Sequence, residues 1–222
     1  MIDRLKNTSL FFIPYLCLFG LSMIFYFYQS HGDFVLWLGG LHNPVWDFFF
    51  KYWTYTGSTG FFVVIAVLLL VIKRRFGLVL SMVGITILVA DKFFKQMLFP
   101  GTPRPSVYFE KELLNLVDGV EMLSTSSFPS GHSMGAFGLA TFLALMLQSN
   151  NLSLLLLVGA TLTALSRIYL AQHFLIDTMA GSLCGIILAT SFYMIFEKYL
   201  NKELASEKKT PDEDLAEMDL KD

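Results

Sequence analysis

Three polar islands interrupt a chain that is otherwise mostly apolar. The first is Lys95 followed by Pro103-Arg104-Pro105. The second is Pro129-Ser130-Gly131-His132. The third is Ser166-Arg167, then His173 and Asp177. His173 and Asp177 share a helical face if a helix already runs there, because residues four apart lie one above the other. A carboxylate behind an imidazole fixes the tautomer and orients the ring, which equips a histidine as a nucleophile. His132 changes protonation near neutral pH and can hand a proton to a leaving group. Gly131 permits close backbone approach, the N–H groups that open a helix favour an anion, and Ser130 adds a hydroxyl. Arg104, stiffened between two prolines, offers a planar fork to phosphate oxygens, and Arg167 offers a second. Fixed cations, backbone amides, one oriented histidine and one proton-carrying histidine form a set suited to phosphoryl transfer, which depends on positioning and on stabilising charge. No HExxH run or carboxylate pair points to a metal, so neither a metal nor another cofactor is expected.

These islands need a scaffold, and the composition says which kind. Of 222 residues, 55% are hydrophobic and 15% charged, against about 25% charged in soluble domains; the mean hydropathy is +0.58. A membrane protein is expected. A crossing helix takes about 20 apolar residues, and six segments qualify, some with help from their flanks: 10–28, 53–72, 76–98, 133–147, 152–170 and 177–196, the fourth being short and borrowing polar flanking residues. The first is too long for a signal-peptide core and lacks a small-residue cleavage site, so it reads as a retained span. Between spans one and two, and running into the start of the second, lies a cluster with Trp46, Tyr52, Trp53 and Tyr55. Such rings favour the membrane–water boundary, and an interfacial helical segment is expected there. The fold class is therefore all-α, a six-helix membrane bundle forming one domain over 1–202, followed by a charged, unstructured tail over 203–222.

Lysine and arginine set the orientation. Arg4, Lys6, Lys73, Arg74, Arg75, Lys198 and Lys202 fall on one side of six spans, which is expected to be cytoplasmic together with both termini. All three islands then fall on the opposite, periplasmic or extracellular, side of the cell membrane. The two cysteines, Cys17 and Cys184, sit in apolar runs and read as small buried side chains. Nothing resembles a basic nucleic-acid footprint.

With these residues in view, the chain resembles the type 2 phosphatidic acid phosphatase and vanadium haloperoxidase superfamily, in its membrane branch. Two of the three signature parts stand intact, as Pro129-Ser130-Gly131-His132 and as Ser166-Arg167, His173, Asp177. The first departs: Met97 holds the family's lysine position, and Lys95 stands two residues earlier. Pro100-Gly101 as a small loop insertion returns Lys95 to the site; Lys92 is the other candidate. The resemblance implies that His173 attacks phosphorus and forms a phosphohistidine, that Asp177 orients it, and that His132 protonates the departing oxygen and then activates water. It implies that Lys95, Arg104, Ser130, the amide of Gly131 and Arg167 hold the phosphate, without metal. It implies a lipid phosphate or diphosphate substrate, with undecaprenyl diphosphate and phosphatidylglycerophosphate ahead of phosphatidic acid and a lipid A phosphate.

Two other readings use the same residues. A vanadate haloperoxidase has a similar anion cradle, but six lipid-length spans argue against it. An ion-conducting protein would use Asp91, Lys92 and Lys95 as intramembrane charges, and it leaves both histidine motifs unexplained.

Overall fold

The computed structural model describes residues 2–206, and every regular element among them is helical. In chain order these are α1 (Ile2–Asn7), α2 (Ser9–Tyr28), α3 (Asp33–Gly39), α4 (Pro44–Trp53), α5 (Thr59–Ile72), α6 (Arg74–Phe93), α7 (Pro105–Tyr108), α8 (Gly131–Leu147), α9 (Asn150–Tyr169), α10 (Leu175–Ile195) and α11 (Glu197–Ser206). Four helices, including α2, α9 and α10, are long and apolar enough to cross a membrane. The fourth is α6 extended by a π-helical turn, Phe94–Leu98.

The expected second span is where sequence and structure part. The chain breaks at Ser58, and the two helical arms on either side meet at 53°. Ser58 has extended backbone, and its hydroxyl accepts the N–H of Phe61 to open α5. That leaves α5 with 14 residues, roughly 21 Å of helix against roughly 30 Å of hydrocarbon. If the bent pair counts as one span, the helices among the described residues that are long and apolar enough to cross number five. The segment expected to hold one interfacial helix holds two short ones, α3 and α4. Pro44 opens α4 at a position that needs no N–H, and the Asn43 side chain accepts from Val45 and Trp46.

Helix α8 is the centre. It is a shorter apolar helix of 17 residues, buried on most of its faces, and it packs chiefly on α10 and α9. The α8–α10 approach is set by small residues, as helix contacts in membranes commonly are. A Cβ on Gly181 would lie 2.4 Å from the Ser130 carbonyl oxygen, and one on Gly185 would lie 2.3 Å from that of Met134. On its other side α8 meets α6 through Phe142, Phe76 and Val83, with Tyr193 closing the cluster.

One end of the bundle is tied by side chains. The guanidinium of buried Arg4 donates to the Tyr193 hydroxyl at 2.8 Å and to Asn201 Oδ1 at 2.5 Å, and pairs with Glu197 at 3.4 Å. Glu203 Oε2 accepts the backbone N–H of Arg75 at 2.9 Å. Glu203 lies within α11, where the sequence reading expected the tail to start; the rest of that expected tail, residues 207–222, lies outside the described part. Both cysteines are free. All three polar islands lie at the opposite end.

Candidate active site

Backbone pairing first brings the islands together. The loop between α6 and α8 folds back on itself: Arg104 N–H donates to the Ser124 carbonyl at 3.1 Å, and Ser127 N–H to that of Thr102 at 3.2 Å. This lays Arg104 beside the entry to α8. Ser130 N–H donates to the Asp177 carbonyl at 3.0 Å, joining the starts of α8 and α10. The spacing of Ser166-Arg167 to His173 is itself a turn. The Arg167 carbonyl accepts the N–H groups of Gln172 at 2.9 Å and His173 at 3.1 Å.

His173 is 2% exposed. Its Nε2 lies 3.3 Å from Arg104 Nη1. A guanidinium can only donate, so Nε2 is the acceptor and Nδ1 carries the hydrogen. Nδ1 lies 3.4 Å from Asp177 Oδ2 and 3.4 Å from the Ser127 hydroxyl oxygen. The same Oδ2 accepts from the Ser127 hydroxyl at 2.5 Å and from the Phe174 N–H at 2.9 Å. Asp177 thus works at the helix start, where its carboxylate satisfies an orphan N–H, and holds His173 in one tautomer at the same time. Burial pulls the His173 imidazole down to about 3; Asp177 opposes this, while Arg167 and Arg104 add to it. The ring is neutral, and its Nε2 lone pair, which accepts from Arg104, becomes available to an electrophile once that guanidinium turns to an incoming oxyanion.

The two arginines are held without being neutralised. Arg104 is 4% exposed. It donates to three carbonyls, those of Thr125 at 2.9 Å, Gln172 at 2.8 Å and Ser126 at 3.3 Å. Burial lowers its pKa, with Asp177 and Asp91 opposing. Arg167 donates through Nη1 to the Thr54 hydroxyl at 2.8 Å, and its buried Nε has no partner among the described residues. Neither guanidinium has a carboxylate within ion-pair distance among the described residues. Such donors suit an incoming oxyanion.

A cavity of about 400 Å³ opens on these groups and is lined by Lys95, Arg104, Gly131, His132, Arg167 and His173 among others. Two expected residues stand outside its wall. Asp177 lies behind His173. Ser130 is fully buried and caps α8, accepting from the Ser133 N–H at 3.4 Å and the Ser133 hydroxyl at 3.1 Å. Gly131 has a reason that spacing does not reveal, since a Cβ there would lie 2.6 Å from Asp91 Oδ1. Asp91 in turn pairs with Lys95 at 2.7 Å. Lys95 sits in the π-helical turn, which widens the helix by accommodating an extra residue. It reaches the cavity, whereas Lys92 is exposed and does not line it, and Met97 is 71% exposed. Sequence reasoning missed Ser127, Gln172 and Thr54, which hold Asp177, Arg104 and Arg167. The run Ser124-Thr125-Ser126-Ser127 was the available signal: four hydroxyl residues just before the start of α8.

Comparison with known proteins agrees with this geometry. A family profile described as the PAP2 superfamily matches residues 75–200. The lipid A 4'-phosphatase of Bacteroides thetaiotaomicron is 29% identical over 186 residues, covering 80% of this chain and 81% of that protein. Two crystal structures share the fold at 24% identity each. Aquifex aeolicus LpxE has a TM-score of 0.60, covering 75% of this chain and 96% of its own. The PAP2-type phosphatidylglycerolphosphate phosphatase of Bacillus subtilis has a TM-score of 0.64, covering 87% and 97%.

Proposed function

The chain belongs to the PAP2 superfamily and is a multi-pass membrane lipid phosphatase; from that premise we propose that it removes a phosphate monoester from a lipid A-type phosphoglycolipid through a phosphohistidine. The observation that carries the mechanism is the Arg104–His173–Asp177 line, in which Asp177 faces Nδ1 and the unprotonated Nε2 accepts from Arg104 at the cavity. The lipid A class moves ahead of undecaprenyl diphosphate and phosphatidylglycerophosphate because the curated relative at 29% identity is a lipid A 4'-phosphatase.

In this mechanism the Nε2 lone pair of His173 forms a bond to phosphorus as the bond to the lipid oxygen breaks. His132, protonated beside the phosphate dianion, gives its proton to that leaving oxygen. Neutral His132 then takes a proton from water, and the resulting hydroxide attacks the phosphohistidine. The P–N bond breaks and His173 is regenerated. Asp177 and Ser127 keep the proton on Nδ1 throughout. Arg104, Arg167, Lys95 and the N–H of Gly131 hold the equatorial oxygens, where fixed donors stabilise developing charge. Ser130 contributes by capping α8 and so aiming that N–H. The three cations and His132 supply the charge that a metal supplies elsewhere, so no metal is required. The tied end carrying Arg4, Arg75 and Lys198 is the cytoplasmic end, six helices cross the membrane with α5 and α8 the shortest, and the site opens on the outer face.

The test is phosphate release from a panel of lipid phosphates in EDTA. Wild type is expected to retain activity in EDTA and to prefer the phosphoglycolipid. His173→Ala is expected to lose about 10⁴-fold or more in kcat, the scale of removing a catalytic nucleophile. Activity abolished by EDTA refutes the metal-free mechanism, and undiminished turnover in His173→Ala refutes the nucleophile.

A further inference from the structure

Among the described residues, Asp91 is the one carboxylate that lines the cavity. A negative charge beside a cradle for anions weakens that cradle, so its place there calls for a reason. On α6 it stands four residues after Ile87 and four before Lys95, which also line the cavity. The three share one helical face, and Asp91 divides the apolar part of that wall from its cationic end. Oδ1 is buried, meets the Lys95 ammonium at 2.7 Å and receives no aligned hydrogen bond among the described residues. The same oxygen rests on Gly131, where a Cβ would lie 2.6 Å away. Gly131 adjoins His132, the group that protonates the leaving oxygen. The carboxylate therefore stands on the leaving-group side of the site. Its charge also reaches Arg104, where it opposes the effect of burial.

We propose that Asp91 selects the leaving group, admitting a neutral alcohol and opposing a phosphate. The proposal rests on the lipid-phosphatase reading of the site and narrows its substrate class to lipid phosphate monoesters, with lipid diphosphates disfavoured. With a monoester, the bond from phosphorus to the alcohol oxygen breaks; that oxygen takes the proton of His132 and departs neutral. With a diphosphate, the departing oxygen belongs to a second phosphate, which is negatively charged before and after the bond breaks. This second phosphate takes the place of the alcohol, on the Gly131 side, where the Asp91 carboxylate faces it. Like charges brought together out of water reject the wrong partner, and a site gains specificity from what it opposes as well as from what it attracts. A sugar alcohol also brings neighbouring hydroxyl or N–H donors to a buried acceptor that is costly to leave unmade. An inner phosphate brings acceptors and charge alone. Arg104 and Arg167 hold the transferred phosphate in either substrate, so they do not make this distinction, and Asp91 does.

The experiment measures kcat/KM for the monophosphate and the diphosphate of one lipid alcohol, in the same detergent, and follows their ratio. Wild type is expected to favour the monophosphate by about ten-fold or more, a discrimination of about 1.4 kcal/mol. Asp91→Asn removes the charge at nearly constant shape and should shift the ratio toward the diphosphate by about ten-fold, whereas Asp91→Glu keeps the charge and should stay within about three-fold of wild type. Made in a Lys95→Met background, Asp91→Asn should still shift the ratio the same way by about three-fold or more. A ratio within about two-fold of wild type in folded Asp91→Asn, or a shift seen only when Lys95 is present, overturns the proposal and leaves Asp91 as an anchor for Lys95. If Asp91→Asn fails to fold, as size exclusion would reveal, the wild-type ratio decides. A monophosphate preference below about three-fold, or a preference for the diphosphate, then overturns the proposal; phosphate release that is lost in His173→Ala still upholds the phosphatase reading. Wild type inert on both substrates overturns that reading itself.

Discussion

Arg4 and Arg167 are both buried, 9% and 7% exposed, and the bundle completes them in opposite ways. Arg4, at the tied end, meets the Tyr193 hydroxyl, Asn201, the Leu145 carbonyl and the Glu197 carboxylate, and its guanidinium lies over the Tyr193 ring. Arg167, at the cavity end, has one hydroxyl on Nη1 and a buried Nε with no partner among the described residues. Arg104 beside it is held by carbonyls and by Nε2 of His173, with no carboxylate within ion-pair distance among the described residues. A buried charge with a full set of partners is structure, since its desolvation is already offset. A buried charge held in place but left electrically open retains attraction for an anion. Arginine counting does not separate the two, whereas the partners do.

Breaking that contrast gives the largest expected difference. Arg167→Gln should lower kcat/KM by about 10²- to 10³-fold, the effect of removing one donor to a developing oxyanion, with little change in Tm. Arg4→Ala should leave kcat within two-fold of wild type and cost about 2 kcal/mol of stability as buried hydrogen-bonded partners lose their donor, read as a lower Tm in detergent. Swapped outcomes, with Arg4 governing turnover and Arg167 governing Tm, would mean that hydrogen-bond completeness does not distinguish structure from function here.

The same contrast explains what was legible in the sequence. His132, His173, Asp177, Arg104 and Arg167 could be found because their spacing is fixed by helix starts and one turn: the Arg167 carbonyl reaches His173, and Ser130 N–H reaches Asp177. Hydrophobic runs placed α2, α6, α9 and α10 to within a few residues. The bend at Ser58 escaped, because hydropathy averages across a single extended residue that changes direction but not polarity. Ser127, Gln172 and Thr54 escaped because they act by hydrogen-bonding a charged partner from loops with no periodicity. Ser130 was expected to offer its hydroxyl to the phosphate, yet that hydroxyl oxygen caps α8. Gly131 was expected for backbone approach to an anion, and it also makes room for Asp91.

A middle-sized effect sharpens the comparison within the cavity end. Lys95 is part-buried and paired with Asp91, which presses on Gly131; Lys92, one turn earlier, is exposed. Lys95→Ala should lower kcat/KM by about ten- to hundred-fold, as expected for a cation that meets phosphate charge, and Lys92→Ala by less than two-fold. The reverse order would place the family lysine at 92 and show that the π-helical turn does not bring Lys95 to the phosphate.

The smallest expected effect is the dependence on pH, and it follows from the same open charges. Burial, reinforced by Arg167 and Arg104, holds the folded His173 near 3, against about 6.5 in an unfolded chain. The unfolded state therefore binds the extra proton first. This group's effect on stability is constant above about 6.5, and stability falls as pH drops from there toward 3. Over that range the folded ring stays neutral, so nucleophilicity is retained. A nucleophile of ordinary imidazole pKa would lose about thirty-fold by pH 5. Here kcat/KM, corrected for the second ionisation of the phosphate near 6, should fall by less than about three-fold between pH 7 and pH 5. In Arg167→Gln one of the charges depressing the ring is gone, so the acid limb of the residual activity should move to higher pH. A wild-type limb at about 6.5, unmoved by Arg167→Gln, would show that His173 does not sense the open arginine, and would remove the electrostatic half of the distinction between the two ends.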